Sequence, residues 1–176
     1  MVLWSDIDTD LIENVAIGKD RVKFKYNEGP LRFQIPKGLC TWGVSAYKSL
    51  NVEVANPDFI SWWKSLETRL CPQEPFSSNM KNSSLRLKID DAAYIFDENS
   101  KQVNPEIREG AFRGHEISCL IDIDSTYFFN GNWGLTIRVQ QLKTLSGPSE
   151  KDYVETAVAE TSLQKGICAF LTVTDV

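Results

Sequence analysis

Apolar and polar residues alternate one by one in six short stretches of the chain. Successive side chains of a β-strand point to opposite faces, so this alternation is typical of strands with one buried face. Leu120 departs from it, and we expect its side chain to point outward. The predicted strands are RVKFKY (21–26), LRFQI (31–35), LNVEV (50–54), LRLKI (85–89), ISCLIDID (117–124) and LTIRV (135–139).

One segment, NPDFISWWKSLETRLCP (56–72), has helical spacing instead. Asn56 is suited to cap a helix, Pro57 fits the first helical position, and Pro72 ends the pattern. Its apolar residues recur on one stripe of the helix, which we expect to pack against the core. The stripe consists of Phe59, Trp62, Trp63, Leu66 and Leu70.

The order of these elements predicts the fold class. Three strands, one helix and two or three further strands indicate a mostly β protein with an OB-fold-like barrel of five to six strands. The helix is expected between strands three and four, and a C-terminal extension follows. Another small barrel or an α+β sandwich also fits this order. We divide the chain into an acidic N-terminal segment (1–19), an OB-fold-like nucleic-acid-binding domain (20–146), and an acidic linker with a C-terminal strand or extension (147–176).

Length and composition agree with one domain that has a substantial core. The chain has 176 residues, of which 42% are hydrophobic and 11% aromatic. No apolar run approaches the roughly 18 residues of a membrane helix, and the acidic start MVLWSDIDTD lacks the basic region of a signal peptide. Four cysteines lie without CxxC spacing, which predicts reduced thiols in an intracellular protein. They are Cys40, Cys71, Cys119 and Cys168.

The residue types that usually carry catalysis are scarce. His115 is the only histidine, and no nucleophile elbow, zinc spacing, phosphate-binding loop or GxGxxG is present. Asp122 and Asp124 share a strand face and could hold Mg²⁺ as in a nuclease, but two acids at this spacing are common on exposed strands. We therefore expect a binding protein that is not an enzyme and has no cofactor.

The charge distribution indicates what is bound. The net charge is −5, yet residues 21–48 hold six basic residues and one acid, between acidic ends of the chain. Many of these cations, with others on later strands, fall on the outward positions, and several aromatic residues lie near loops. Basic strands with exposed rings are suited to single-stranded nucleic acid, because charge follows the backbone and rings stack on bases. Exposed strands often carry Lys or Arg without binding anything, so an ordinary solvated surface stays open.

Three segments resemble a known family. FRGHEISCLIDIDSTYFFNGNWGLTIRVQQLKT (112–144), GPLRFQIPKGLCTWGVSAY (29–47) and SLRLKIDDAAYIFDENSKQV (84–103) are similar to OB-fold single-stranded-DNA-binding proteins of large eukaryotic DNA viruses. The resemblance extends distantly to the corresponding proteins of short-tailed phages and covers about residues 20–145. The segment beyond 147 has no counterpart in it, and the chain does not end in the aromatic residue that closes the phage proteins.

The resemblance implies a protein that coats single-stranded DNA during replication, recombination or repair. RNA remains open as a ligand, as do a homodimer and contacts of the acidic tail with replication proteins; no membrane partner is expected. A viral origin would place the protein in the host nucleus or at a cytoplasmic viral replication site. The candidate binding residues are Lys23, Lys25, Arg32, Lys37, Trp42, Tyr47, Arg86, Lys88, Phe129, Trp133 and Arg138.

The roles of two aromatic residues stay open in the hairpin that joins the last two predicted strands. Its turn is predicted at residues 130–132, and the resemblance implies that Gly131 and Gly134 let the chain turn tightly. Trp133 either stacks on bases or packs into the core, and Tyr127 belongs to either side. Two other functions stay open for the whole chain: a β-rich viral structural or protein-interaction module, and a Mg²⁺-dependent nuclease.

Overall fold

In the computed structural model, the described residues (2–103, 106–146 and 170) contain eleven strands that join into one sheet. The sheet closes on itself, so the chain forms a β-barrel with further strands outside it. The strands are β1 Glu13–Gly18, β2 Arg21–Tyr26, β3 Gly29–Gln34, β4 Gly38–Cys40, β5 Ser49–Glu53, β6 Met80–Lys81, β7 Ser84–Lys88, β8 Tyr94–Phe96, β9 Gln102–Val103, β10 His115–Phe129 and β11 Asn132–Ser146, and the helix α1 is Pro57–Leu70.

Five strands form the closed ring of the barrel. β10 pairs antiparallel with β11, β11 pairs parallel with β7, and β7 pairs antiparallel with β5. β5 then pairs with β4, and β4 pairs with β10, which completes the ring. Numbered along the chain, the ring strands are neighbours in the order first, second, third, fifth, fourth. This is the OB-fold-like barrel that the pattern of residues predicted.

The first ring strand is interrupted. β3 and β4 lie end to end along the same edge of β10, with residues 35–37 between them, and the backbone N–H of Ile35 still donates to the carbonyl of Cys119 (3.1 Å). The helix follows LNVEV and precedes LRLKI, as predicted. In the closed ring, however, these two are the second and third strands, because β2 pairs outside the ring with β1, β3 and one position of β10.

The inward positions of the alternating stretches are buried in the barrel. Each large apolar side chain contributes about 1.5–3 kcal/mol when it is fully removed from water, so this layer of side chains is the main stabilising element of the ring. The buried inward residues are Phe24, Leu31, Phe33, Leu50, Val52, Leu85, Leu87, Ile121, Ile123, Leu135, Ile137 and Val139.

The helix packs on the barrel through the predicted aromatic stripe. The side chain of Asn56 accepts a hydrogen bond from the backbone N–H of Phe59 (3.0 Å), which confirms the cap. Trp63 is fully buried, whereas Trp62 is half-buried and its ring lies 5.4 Å from that of Phe33 on β3. Trp62 also contacts the ring of Trp4 (5.3 Å), so the helix joins the N-terminal residues to the barrel.

The N-terminal residues take part in the sheet. β1 pairs along β2 with Glu13 opposite Lys25, which extends the sheet across the predicted boundary at residue 20. Every residue of β1 is exposed, so the strand has no alternating pattern by which it could be recognised. Ahead of it, Ile7 and Ile12 are buried and belong to the same core as the barrel.

Leu120 lies on the outer face of β10, opposite Gln34 and away from Ile121, as predicted, but its side chain is buried there. The register shift between Leu120 and Ile121 adds one residue, Gln140, on β11, while on β3 Leu120 lies opposite Gln34 and Ile121 opposite Phe33 without a shift. Gln34, the partner of Leu120 on β3, is itself buried and donates its backbone N–H to the carbonyl of Val2 (2.9 Å). The N-terminal residues therefore lie beside this position.

Cys40, Cys71 and Cys119 are buried free thiols. Burial raises the pKa of Cys40 to about 11. Cys168 and the acidic linker lie outside the described residues. Phe170 is described, and its ring centroid is 6.5 Å from that of Phe96. Within the described ranges, no helix has the length and apolar character needed to cross a membrane.

A buried carboxylate holds the chain that follows α1. Glu67 accepts hydrogen bonds from the hydroxyl of Ser78 (2.7 Å) and from the backbone N–H of Asn79 (3.3 Å). Burial raises the pKa of Glu67 above its ordinary value, and these hydrogen bonds oppose the rise. Since the folded protein holds this proton more tightly than the unfolded chain, ionisation of Glu67 costs stability.

We predict that Glu67→Gln makes stability less dependent on pH. As pH rises above the ordinary range of a carboxyl group, about 4.3, the unfolded chain loses the proton first. The folded state then binds more protons, so the free energy of unfolding falls until the pH passes the raised pKa. Urea unfolding from pH 4 to 8 should show this fall in the wild type and a smaller one in Glu67→Gln. The exposed control Glu98→Gln should follow the wild type; equal slopes in all three proteins would contradict the assignment.

Candidate nucleic-acid interface

Four charged residues and one serine form a continuous row across five strands. Arg32 on β3 lies opposite Asp122 on β10, and Asp122 lies opposite Arg138 on β11. Arg138 lies opposite Lys88 on β7, which lies opposite Ser49 on β5. We call these five residues the cross-strand row. At about 4.8 Å between strands, the row is roughly 19 Å long, and it runs over the outer surface of the sheet.

Three further cations adjoin the cross-strand row. Lys23 on β2 pairs with Asp124, two residues beyond Asp122, and Lys25 is two residues from Lys23 on the same face of β2. Arg86 is two residues from Lys88 on the outer face of β7. The structure therefore gathers six of the predicted cations on one surface, which we call the basic face: Lys23, Lys25, Arg32, Arg86, Lys88 and Arg138.

The strongest ion pair on this face holds one of its arginines. The guanidinium of Arg32 donates two hydrogen bonds to Asp122, from Nε to Oδ1 (2.6 Å) and from Nη2 to Oδ2 (2.9 Å). This two-pronged arrangement is the strong form of an Arg–carboxylate contact, and the hydrogen bond that Arg32 donates to Asp122 raises the pKa of Arg32. Arg32 would have to exchange this partner to contact a phosphate directly.

The other cations of the basic face divide into two groups. Lys23 and Arg138 form longer ion pairs, each 3.6 Å, with Asp124 and Asp90 respectively. Among the described residues, the side chains of Lys25, Arg86 and Lys88 have no ion pair or hydrogen bond; they are named together as the unpaired cations. Lys25 has Glu13 opposite it on β1, whereas Arg86 and Lys88 have no acid opposite them, so these two are the strongest candidates for phosphate contacts.

Two predicted aromatic residues lie in the loop between β4 and β5 (41–48). Tyr47 is 90% exposed and stands two residues from Ser49, at the end of the cross-strand row. Hydrogen bonds between Ser45 and Ser49 hold this part of the loop to β5. Trp42 is also exposed, but its carbonyl accepts from Arg113 (3.4 Å), which places it toward residues 108–114.

The tip of the β10–β11 hairpin exposes two phenylalanines. Asn130 and Gly131 both have positive φ (50° and 79°), as a two-residue turn of this hand requires. Phe129 is 68% exposed and Phe128 is exposed beside it, so the tip is open on both faces. Strict alternation would have buried one of these neighbours, which is why Phe128 was not predicted. Phe129 at the tip is about 23 Å along β10 from Asp122.

Trp133 differs from the other candidate residues because it is half-buried and packs against the core. Its backbone N–H donates to the carbonyl of Pro75, and its carbonyl accepts from the N–H of Ser77, both at 2.8 Å. Its ring centroid is 5.2 Å from that of Phe128. The loop after α1 thus holds Trp133 in place, which favours the packing alternative over stacking on bases.

Gly134 has a different role from the one that the resemblance implied. It lies opposite Tyr127, and a Cβ atom on Gly134 would be 2.5 Å from Cζ of that ring. The glycine therefore leaves room for the tyrosine ring to lie across β11, while Asn130 and Gly131 make the turn. Tyr127 is half-buried in this position.

Lys37 is remote from the basic face. It lies between β3 and β4, and its ammonium is 3.9 Å from Glu116. Glu116 precedes Asp122 by six residues on β10, a separation of about 20 Å. In the described part of the chain, no three Asp, Glu, His or Cys side chains come together as metal ligands would, and both acids of the nuclease alternative, Asp122 and Asp124, are paired with cations.

No protein-family model matches the chain, and no curated protein or solved structure matches it either. The resemblance to viral single-stranded-DNA-binding proteins therefore stays a hypothesis. Any inference about the function of this protein depends on the geometry of the chain itself.

We predict that Trp133 supports the fold. Because the ring is half-buried and packs on the core, Trp133→Ala should lower the free energy of unfolding by about 2–4 kcal/mol, near the lower part of the range for buried tryptophans. Phe129→Ala, which removes a neighbouring but exposed ring, should change it by less than about 0.5 kcal/mol. Urea unfolding of both variants measures this difference; a Trp133→Ala protein as stable as the wild type would contradict the packing role.

Proposed function

We propose that this protein binds single-stranded nucleic acid, with DNA as the first ligand to test, and performs no chemistry on it. The observation that carries the proposal is the cross-strand row on the outer surface of an OB-fold-like barrel. The row is about 19 Å long and holds three cations and one acid, and three further cations adjoin it. Within a protein whose net charge is −5, this is a local concentration of positive charge that suits a phosphate backbone.

The position of these residues in the barrel supports the same function. OB-folds bind oligonucleotides on their second and third strands and on the loops that join strands one to two and four to five. Here the second and third ring strands are β5 and β7, and β7 carries Arg86 and Lys88. The first of the two loops carries Tyr47, and the second is the hairpin tip with Phe128 and Phe129.

The proposed binding mode separates two contributions. The unpaired cations contact phosphates, while Arg138 and Lys23 contribute after exchanging their longer ion pairs. The exposed rings of Tyr47 and Phe129 stack on bases, which requires bases that are not paired in a duplex. We propose that this activity coats single-stranded DNA during replication, recombination or repair. The setting that we propose is viral and inside a cell.

A β-rich protein-interaction module is the second candidate. It is favoured by the exposed apolar residues of the outer strand β1, Val15 and Ile17. Salt separates the two functions, because phosphate binding weakens steeply as salt rises whereas an apolar protein interface does not. EDTA-sensitive cleavage of DNA would instead identify the nuclease, for which the ion-paired Asp122 and Asp124 give no support.

We predict that Arg86→Glu with Lys88→Glu weakens binding to all sequences and flattens its dependence on salt. Each lost phosphate contact should reduce the slope of log affinity against log salt by about 0.7 for a single strand. Fluorescence anisotropy with labelled oligothymidine at several salt concentrations measures the slope. Lys64→Glu, a single charge reversal on an exposed position of α1, is the control and should keep the wild-type slope. An unchanged slope in the folded double variant would remove β7 from the interface.

We predict that the exposed rings contribute to affinity and not to stability. Tyr47→Ala and Phe129→Ala should each cost roughly 1–3 kcal/mol of oligothymidine affinity through lost stacking, with melting temperatures near that of the wild type. Leu39→Ala removes an exposed apolar side chain on β4 and serves as the control. If both aromatic variants bind as tightly as Leu39→Ala, stacking at these positions is refuted.

A further inference from the structure

Among the described strands, β1 forms one edge of the sheet. This strand is one end of the sheet and pairs with β2 alone, and all six of its residues are exposed. An edge strand offers unpaired backbone N–H and C=O groups to another strand. Val15 and Ile17 add apolar side chains that are 38% and 47% exposed.

The sequence of this edge is complementary to itself. When β1 is placed antiparallel to a second copy with Ala16 at the centre, Val15 lies opposite Ile17 of the second copy. In the same register Lys19, the first residue of the turn that follows β1, comes beside Glu13 of the second copy. Each relation occurs twice, so two apolar pairs are flanked by two pairs of opposite charge, and both kinds of cross-strand pair are favourable.

We propose that β1 pairs antiparallel with β1 of a second copy of this chain, in the register centred on Ala16. The interface is isologous, since each strand presents the same residues to the other. Glu13 and Lys19 form no ion pair with any described residue, so both are available to the second copy. A bulge between Ala16 and Gly18 keeps the paired stretch short. A single strand pair buries less than the roughly 1,200 Å² of a standard interface, and the dimer is therefore weak and dependent on concentration.

Such a dimer has a consequence that rests on the proposed function. The two-fold axis of an antiparallel strand pair is perpendicular to the sheet, so the two copies present the same face on the same side. Val15 lies opposite Lys23 and Glu13 opposite Lys25 on β2, which places these lysines on the face that the two copies share. The basic faces of the two copies then adjoin across β1, and one nucleic-acid strand can contact both.

Reciprocal charge reversal tests the register. Glu13→Lys or Lys19→Glu alone puts like charges opposite each other at both ends of the interface, whereas the double variant restores opposite charges. Sedimentation equilibrium of the full chain without nucleic acid, up to about 200 μM to cover weak association, measures the dissociation constant. We expect each single variant to weaken the dimer roughly tenfold and the double variant to return to within about threefold of the wild type.

Controls and other outcomes complete the test. Glu98→Lys, an exposed charge reversal away from β1, should dimerise like the wild type, and thermal melting checks that every variant folds. A wild type that stays monomeric, single variants that dimerise unchanged, or a double variant that is not restored would each overturn the proposal. A monomer that still binds oligothymidine would leave the proposed function standing, and a β1 dimer that does not bind it would refute the function alone.

Discussion

The antiparallel pairing of β10 with β11 is the interaction on which the rest of the fold depends. These two strands, each of fifteen residues, are paired along almost their whole length. The other edge of β10 receives β2, β3 and β4, and the other edge of β11 receives β7 and β8. The same ladder places Asp122 opposite Arg138 at the centre of the cross-strand row. Barrel closure and the candidate interface therefore depend on one register.

Aspartates among the cations explain how an acidic protein can carry a basic face. Asp122 orients Arg32 through two hydrogen bonds, and Asp124 and Asp90 hold Lys23 and Arg138 more loosely. These acids reduce the repulsion between cations that the sheet holds close together. They also divide the face into residues that are positioned by ion pairs and residues whose charge is uncompensated. We expect affinity to depend mainly on the second group, because contact with the first requires an existing ion pair to break.

Local patterns predicted the elements well, because alternation and helix capping act within a few residues. They predicted the six half-buried strands, the Asn56 cap and the outward position of most candidate cations. They did not reveal β1, which is exposed on both faces, or the burial of Leu120, which lies beside N-terminal residues distant in sequence. The ion pair between Arg32 and Asp122 joins residues 90 positions apart. Such partners depend on strand register, and the place of Trp133 depends on a distant loop, so neither was visible in the local sequence.

Backbone NMR with an unlabelled oligothymidine tests the central claim most directly, since it locates the ligand on the surface. We predict salt-sensitive shifts of the amides of β5 and β7, of the loop 41–48 and of the hairpin tip around Phe129, with little change in α1. Duplex DNA of the same length should produce weaker shifts because its bases cannot reach the exposed rings. An absence of shifts at saturating oligothymidine, or shifts confined to other surfaces, would contradict the account.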